Sequence, residues 1–494
     1  MTYSGLLYLL VGLFSIVTGL TFSLIVVRTL TIEEYGTWSL IHAIIGYLII
    51  SQSIINFWTI RGISRGSEIG KTSFVSSLIF SIGLIPIYIS FVILFSENSN
   101  VIQPSMILAL ILVPLFLLSR NLTAINSGFQ PHVTSYTLVV LEITRIFTIL
   151  IFVYFLDLGL DGAIFALFIA QSIQVLFQTY LARTKLKTKF QLGLLKNWIK
   201  MSWLTIYSAG PNSLRNFDLA LYTIATSSVI GIAFYSVSFT IGKIISHSEK
   251  LSQGLYPKLL SGGEYSHISQ TFSLLLLFGL PLLGIAIIFS KPALYALNPV
   301  YQEATLIVIL LSLKTFFLSN SSIIQKTLLG IEKVDVLEKS PSPVFLKSDL
   351  FKLPTYRYVK LGIYLITLTV VFLLNKDNAS EIELVTLWAL ISLTIEIPFL
   401  IFMWILLHRK TAINFPYVDG IKYLGATIAF MLVFWQTSKF IIIYHESIFD
   451  FLPTLLIQLI ICILIYFGIV YTIDKKTRKL LSIVINQIFK KNNN

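Results

Sequence analysis

Apolar residues run along this chain in blocks of about twenty, separated by short polar gaps, and do not alternate one by one. A helix needs about 20 apolar residues to cross the hydrocarbon core of a bilayer, whereas a barrel strand needs about ten alternating ones. The unbroken blocks therefore predict membrane-spanning helices and exclude a transmembrane β-barrel. They fall at 5–27, 37–58, 74–95, 104–124, 134–156, 160–182, 202–225, 229–247, 268–290, 304–328, 358–375, 384–407, 421–441 and 451–472. The predicted class is all-α, a polytopic membrane protein with about 14 transmembrane helices. The seventh block is the least apolar, holding Pro211, Asn212, Arg215, Asn216 and Asp218. It is kept as a span because the charge alternation described next requires it. Met1 to Ser4 carry no Lys or Arg, and the first block exceeds a signal-peptide h-region, so it reads as a span and not a cleavable leader.

Composition agrees. The chain has 494 residues, of which 56% are hydrophobic and 12% charged. With a mean hydropathy of +0.85, it is not a soluble globule, a disordered chain or a fibre. The net charge of +13 is best read through its placement. Counting gaps alternately, 29 Lys and Arg lie in one set and 4 in the other, with three more inside spans. This bias places the rich set, and with it both termini, in the cytoplasm of a multi-pass plasma-membrane protein. The surplus thus belongs to topology and not to nucleic acid. The poor gaps are short and acidic, with Glu33, Glu34, Glu97, Asp157, Asp161, Glu303, Asp377, Glu381, Glu383, Glu446 and Asp450. None is long enough to fold as a domain. After Asp474 come Lys475, Lys476, Arg478 and Lys479, followed by Leu480, Leu481, Val484 and Ile488 on one helical face. This 474–494 tail is expected to lie as a basic amphipathic helix on the anionic inner leaflet.

Two halves of the chain echo each other. Gly36-Thr37-Trp38-Ser39 opens the second block, and Gly231 with Phe234-Tyr235-Ser236 opens the eighth. Ser119-Arg120-Asn121 with Gly128 closes the fourth, and Ser319-Asn320-Ser321-Ser322 with Gly330 closes the tenth. The six-helix spacing suggests two homologous six-helix lobes, 1–190 and 191–415, two additional helices in 416–473, and the tail. Parallel lobes around a central cavity are a common transporter plan. Further stretches carry a resemblance: Arg28-Thr-Leu-Thr-Ile-Glu33-Glu34-Tyr35-Gly36, Gly128-Phe129-Gln130 to Tyr136, Asp218 with Gly231 to Ser236, Tyr256-Pro257, Asn298 to Ala304 with Tyr301, and Leu329-Gly330-Ile-Glu-Lys333. In their order and spacing, over roughly residues 1–410, they resemble the polysaccharide-flippase branch of the multidrug/oligosaccharidyl-lipid/polysaccharide exporter superfamily. That resemblance implies two six-helix lobes around a V-shaped cavity, and movement of a lipid-linked sugar from the inner to the outer leaflet. The chain departs from the pattern at 337–356, where Pro341, Pro343, Pro354 and several lysines read as a cytoplasmic insertion.

Six ionisable residues fall near mid-span: Glu142 and Arg145, Arg215 and Asp218, Lys314, and Glu396. Each costs at least about 2.5–3.5 kcal/mol at the bilayer centre, so they face protein or water. One reading pairs them as Glu142–Arg145, Arg215–Asp218 and Lys314–Glu396, with structural roles. The other makes Arg145, Arg215 and Lys314, with Arg28 at the end of the first span, a cationic lining for a sugar-diphosphate headgroup. Asn56, Gln171, Asn212 and Asn216 would then meet sugar hydroxyls. Asp218 and Glu396 are the candidates for binding a coupling proton or Na⁺. The expected partners are a lipid-linked glycan, membrane lipids, a coupling ion and glycan-assembly enzymes, with no cofactor and no nucleic acid.

Two alternatives stand beside the flippase: a drug or cation exporter of the same superfamily, and a membrane glycan polymerase or glycosyltransferase. The enzyme is disfavoured because the short Lys/Arg-poor loops carry no paired-carboxylate site and no phosphate-binding glycine loop exists. The single cysteine, Cys462, and six scattered histidines form no metal motif.

Overall fold

The computed structural model describes residues 3–478, except 131, 201, 253–254, 256–258, 260–265, 333–347, 412 and 446. The tail face at 480–488, the Tyr256-Pro257 match and the prolines at 341 and 343 lie outside the described residues. Long helices follow the predicted blocks in order. The first is Tyr3–Thr29. The second to sixth are Ile32–Ser64, Gly70–Glu97, Gln103–Phe129, Val133–Phe155 and Gly159–Leu186. The eighth to tenth are Ile230–Glu249, Ser266–Ile288 and Pro299–Ile331, and the eleventh to fourteenth are Asp349–Asn375, Glu381–Lys410, Tyr417–Ile441 and Ile448–Ile473. Among the described residues twelve helices are long and apolar enough to cross a membrane, and Val17–Thr29, within the first, is a shorter apolar one.

The seventh helix is broken. It runs Ser202–Ser213, tightens to a 3₁₀ turn at Leu214–Asn216, and resumes as Phe217–Thr226. Pro211 lies inside the segment before the break, where its ring removes one i→i−4 hydrogen bond. The eleventh helix begins nine residues before the predicted position, at Asp349. Pro354 and Tyr356 are thus helical, and the insertion read as loop to 356 ends sooner. Asp349 fixes this start: its amide donates to Glu332 Oε2 at 2.8 Å, and its carboxylate takes Lys410 Nζ at 2.6 Å.

By packing, the chain divides into two compact units, Met1–Ser236 with Arg357–Leu384, and Val237–Tyr356 with Val385–Asn494. Neither unit is continuous in sequence, so this is a different division from the six-helix lobes of the internal echo. In the first unit the first half of the third helix, 70–83, is inside out: Ser73, Ser76, Ser77 and Ser81 are fully buried while Leu78, Ile79 and Ile82 are exposed. A bilayer makes this sensible, since lipid takes the apolar face and hydroxyls seek partners on other helices. Gln52 Nε2 donates to Ser77 Oγ at 2.9 Å, and Asn121 Nδ2 to Ser73 Oγ at 2.8 Å and Asn56 Oδ1 at 3.1 Å. The other side of the fourth helix is joined to the sixth by Ser119–Gln174 and Gln178–Thr123, both at 2.9 Å. The second unit is packed differently. Phe272, Leu276, Leu277, Met403, Tyr423, Phe430, Phe451 and Tyr466 form one apolar core from the ninth and the twelfth to fourteenth helices. Gly284 lets the ninth helix approach so closely that an added Cβ would sit 2.6 Å from Thr427 Cγ2 and 2.8 Å from Phe430 Cζ.

Candidate functional site

The clearest charged site lies between the first and fifth helices. Glu142 and Arg145 sit three apart, on one helical face, and are ion-paired. Glu142 is only 4% exposed. It also accepts from Ser15 Oγ at 2.8 Å and Thr18 Oγ1 at 2.9 Å, so it ties the first helix to the fifth. Arg145 lies over the Phe22 ring at 4.5 Å and keeps 19% of its side chain exposed. One guanidinium nitrogen, Nη2, holds Glu142. The planar fork has five N–H donors, so the pair does not exhaust it.

The second site surrounds the break in the seventh helix. Asp218 is 3% exposed. Its Oδ2 accepts from Tyr364 Oη on the eleventh helix at 2.6 Å, and its Oδ1 from the Leu219 amide at 3.0 Å. Tyr235 lies close to Asp218, Arg215 and Tyr364. Tyr47 from the second helix donates to the carbonyl of Asn216, the residue that caps the resumed segment. Arg215 is exposed, on the 3₁₀ turn. The seventh and eleventh helices run side by side in the same direction. Tyr207 meets Tyr358 with ring centroids 5.2 Å apart, Asp218 meets Tyr364, and Tyr222 meets Phe372 at 5.2 Å. Gly210 makes this possible, because a Cβ there would lie 1.9 Å from Tyr358 Oη. Arg357, one residue before Tyr358, interacts electrostatically with Arg215.

In the second unit Glu396 is also 3% exposed and accepts from Ser321 Oγ at 3.3 Å. Lys314 is half-buried on the tenth helix, seven residues before Ser321 and so on the same face, about 10 Å along the axis. Arg28 is half-buried near the end of the first helix. The structure thus brings Glu142 to Arg145 and Asp218 to Tyr364.

Sequence reading missed Arg357, Tyr364 and a second unit pair, Glu249–Lys326 at 2.8 Å. Arg357 falls just before the predicted eleventh block, in a Lys/Arg-rich gap. The signal that finds it is Ser348-Asp349 followed by Leu350, Phe351 and Leu353, a helix-start pattern before an apolar face.

The matched stretch Thr31 to Gly36 acts at the Lys/Arg-poor end of the first unit. Thr31 caps the second helix, and Glu34 completes the capping box. Glu34 Oε1 also accepts from the Leu160 amide at 3.1 Å, beside Gly159 at φ +52°. Gly36 packs on the Val229 carbonyl, which a Cβ would meet at 2.2 Å. The Asn100 amide donates to Ser227 O at 3.3 Å. This end is therefore fastened through backbone groups.

No family model matches the chain, and no curated relative does. Solved structures do. The chain is similar to the lipid II flippase MurJ in an inward closed conformation, with a TM-score of 0.68 at 15% identity over 96% of this chain and 100% of that one. It is similar to an inward-facing multidrug resistance MATE family transporter of the MOP superfamily, with a TM-score of 0.61 at 12% identity over 80% of this chain and 96% of that one. An outward-facing MATE transporter of that superfamily scores 0.51 at 14% identity, over 81% and 94%. The chain is a multi-pass membrane protein with the fold these flippases and exporters share.

Proposed function

We propose that this protein moves a lipid-linked oligosaccharide or polysaccharide precursor from the cytoplasmic to the outer leaflet by alternating access. The observation that carries the reading is the likeness to a lipid II flippase over the whole of that chain, where the exporters match a shorter part of this one. The Lys/Arg bias supports cytoplasmic termini in the plasma membrane. The two six-helix lobes, 1–190 and 191–415, are the moving bodies in this reading. Arg145, Arg215, Lys314 and Arg28 offer positive charge to an anionic headgroup, which an apolar path would otherwise exclude. Asp218 and Glu396, both buried, are the places for a coupling proton or Na⁺. Glu142 holds the first helix and Arg145 in place. Enzymes that build and extend the glycan supply and consume the cargo.

The fold shared with the MATE transporters supports a second reading, export of drugs or cations. Proteoliposomes separate the two. A flippase moves a fluorescent lipid-linked oligosaccharide between leaflets and leaves a cationic dye untouched. Dye efflux without glycan-lipid movement overturns the first reading.

A further inference from the structure

Five of the six histidines stand at helix ends or beyond them: His132, His247, His267, His408 and His445. His42 is different. It lies ten residues, about 15 Å, into the second helix from Ile32, near the middle of a hydrocarbon core about 30 Å thick. From Tyr35 to Leu48 that helix is buried at every position but Ser39, His42 and Gly46. These three, spaced i, i+3 and i+7, make one narrow stripe. A Cβ at Gly46 would meet nothing within 4 Å, so the stripe borders open space and not a packed seam. Where a helix of this unit meets lipid it exposes Leu and Ile, as the third does at Leu78, Ile79 and Ile82. A serine, a histidine and a glycine suit water instead.

The imidazole is held in one orientation. Its Nδ1 lies 2.9 Å from the Trp38 carbonyl, its centroid 4.2 Å from that of the Trp38 ring, and Phe116 of the fourth helix meets it edge-on at 6.4 Å. A carbonyl only accepts, so Nδ1 carries the hydrogen of the neutral ring and Nε2 keeps the lone pair. Trp38 leads on to Phe22 at 6.4 Å, and Phe22 carries the Arg145 guanidinium at 4.5 Å. The charged groups bordering this aromatic run are therefore Arg145 and its partner Glu142. The other titratable groups near this depth are Tyr47 on the same helix, Arg215 and Asp218 on either side of the Asn216 carbonyl that Tyr47 holds, and Tyr88 of the third helix, whose hydroxyl goes to Met106 O. The sixth helix has no titratable side chain between Asp161 and Tyr180. We propose that His42 is a proton-binding site of the first unit, taking a proton at Nε2 while its stripe is open to water and returning it to water when the stripe must close. Glu142 and Arg145 neutralise each other, so a proton on His42 adds a net positive charge. Water accommodates that charge, whereas sealing it at low dielectric is costly. Proton occupancy and water access are thus linked, as coupling to a proton gradient requires. The ligand is a proton and not Na⁺, because hard cations take oxygen ligands and this site offers an imidazole nitrogen. What the proton drives rests on the transporter reading above; its binding is tested without transport.

The full chain, with its histidines labelled by nitrogen-15, is placed in lipid nanodiscs and its imidazoles are followed by solid-state NMR from about pH 5 to 8. His42→Gln identifies the His42 signals by their loss. The ring should be neutral with its hydrogen on Nδ1 at the upper end and should take one proton at Nε2 as pH falls. A ring that stays neutral throughout, or that carries its hydrogen on Nε2, overturns the site. Proteoliposomes with a fluorescent lipid-linked oligosaccharide then read coupling. Wild-type flipping should follow a one-proton profile, changing by up to about tenfold per pH unit on its steep side. His42→Gln keeps an N–H for the Trp38 carbonyl, and His42→Phe keeps a ring against Trp38; both should flatten the profile. A wild-type rate and profile in His42→Phe reveals a packing role and overturns the site, as does an unchanged profile in folded His42→Gln; if the Gln variant misfolds, the Phe variant decides alone. Either of these results leaves the flippase reading standing. Titration of His42 with pH-dependent dye efflux that both variants lose, and no movement of the glycan lipid, upholds the proton site and removes that reading.

Discussion

Along the first half of the third helix of the first unit, 70–83, the fully buried side chains are serines and a threonine, with Tyr88 and Phe95 buried only further on. Along the ninth, thirteenth and fourteenth helices of the second, the most buried large side chains are Phe272, Phe430, Phe451, Tyr423 and Tyr466. Both units sit in the same solvent, and apolar surface gains little by leaving lipid for protein. The second unit is therefore held by close packing of shaped side chains, such as Phe430 edge-on to Tyr466 at 6.1 Å. The first has an apolar cluster of its own around Ile55, Leu122 and Ile125, but its serine face is held by hydrogen bonds whose alternative is hydrocarbon, each worth about 0.6–1.7 kcal/mol. Packing depends on volume, whereas a hydrogen bond depends on register. Sliding the third helix past the fourth by one residue would break Asn121–Ser73 outright.

Emptying volume in the second unit should do the most damage. Phe430→Ala is expected to cost about 3–5 kcal/mol, and Phe430→Leu clearly less. The measurement is denaturant unfolding in detergent micelles, and a loss below about 1 kcal/mol for the alanine variant would contradict a packing-held core. Breaking the charge of the first unit comes next. Glu142→Ala should cost about 2–3 kcal/mol, at the lower end for a broken buried pair because Arg145 keeps 19% exposure. Adding Arg145→Met should restore much of that loss, and a double variant no better than the single would show that Ser15 and Thr18 matter more than the ion pair.

Asn121→Leu follows, at about 1–2 kcal/mol for two interhelical hydrogen bonds. A cycle with Ser73→Ala should return a coupling near 0.6 kcal/mol by the same scale. No coupling would mean that the serine face packs by size alone. The smallest effect concerns Asp474, just after the fourteenth helix. It accepts from the Thr477 amide at 3.0 Å, Thr477 Oγ1 at 2.6 Å and Tyr423 Oη at 3.0 Å, with Lys422 3.6 Å away. Burial opposes its charge, but these donors and Lys422 outweigh it and hold the carboxyl below its ordinary 3.8. Its contribution is thus complete above the unfolded value and lost as pH falls through the lower folded one. Asp474→Asn at neutral pH should mimic the acid state and speed hydrogen exchange at the Thr477 amide, with global unfolding unchanged.

The spans were legible because length and apolarity decide insertion, and block ends fell within a few residues of most helices. Glu142–Arg145 was legible because pairing at i,i+3 is local. Arg357 was not, because Pro354 and nearby lysines read as loop; only the partners of Asp349, Glu332 and Lys410, show why a helix begins there. Nor was the buried serine face of the third helix. Apolar blocks announce that a helix meets lipid but not which face does, and the serines of the third helix carry no long-range signal of Gln52 or Asn121. The companionship of the seventh and eleventh helices, more than 140 residues apart at Asp218–Tyr364, depends on tertiary packing alone.

The serine face also bears on biogenesis. A serine entering the bilayer on a lone helix can bond a carbonyl of its own backbone, as Ser81 Oγ does with Leu78 O at 2.7 Å even in the finished fold. Such a helix can dwell in lipid before its neighbours arrive, then trade internal bonds for cross-helix ones. Gln52 and Asn121 have amide groups too large to be satisfied so easily, and each would wait at a cost. The third helix is therefore suited to wait in lipid beside the second until the fourth emerges to meet its serine face.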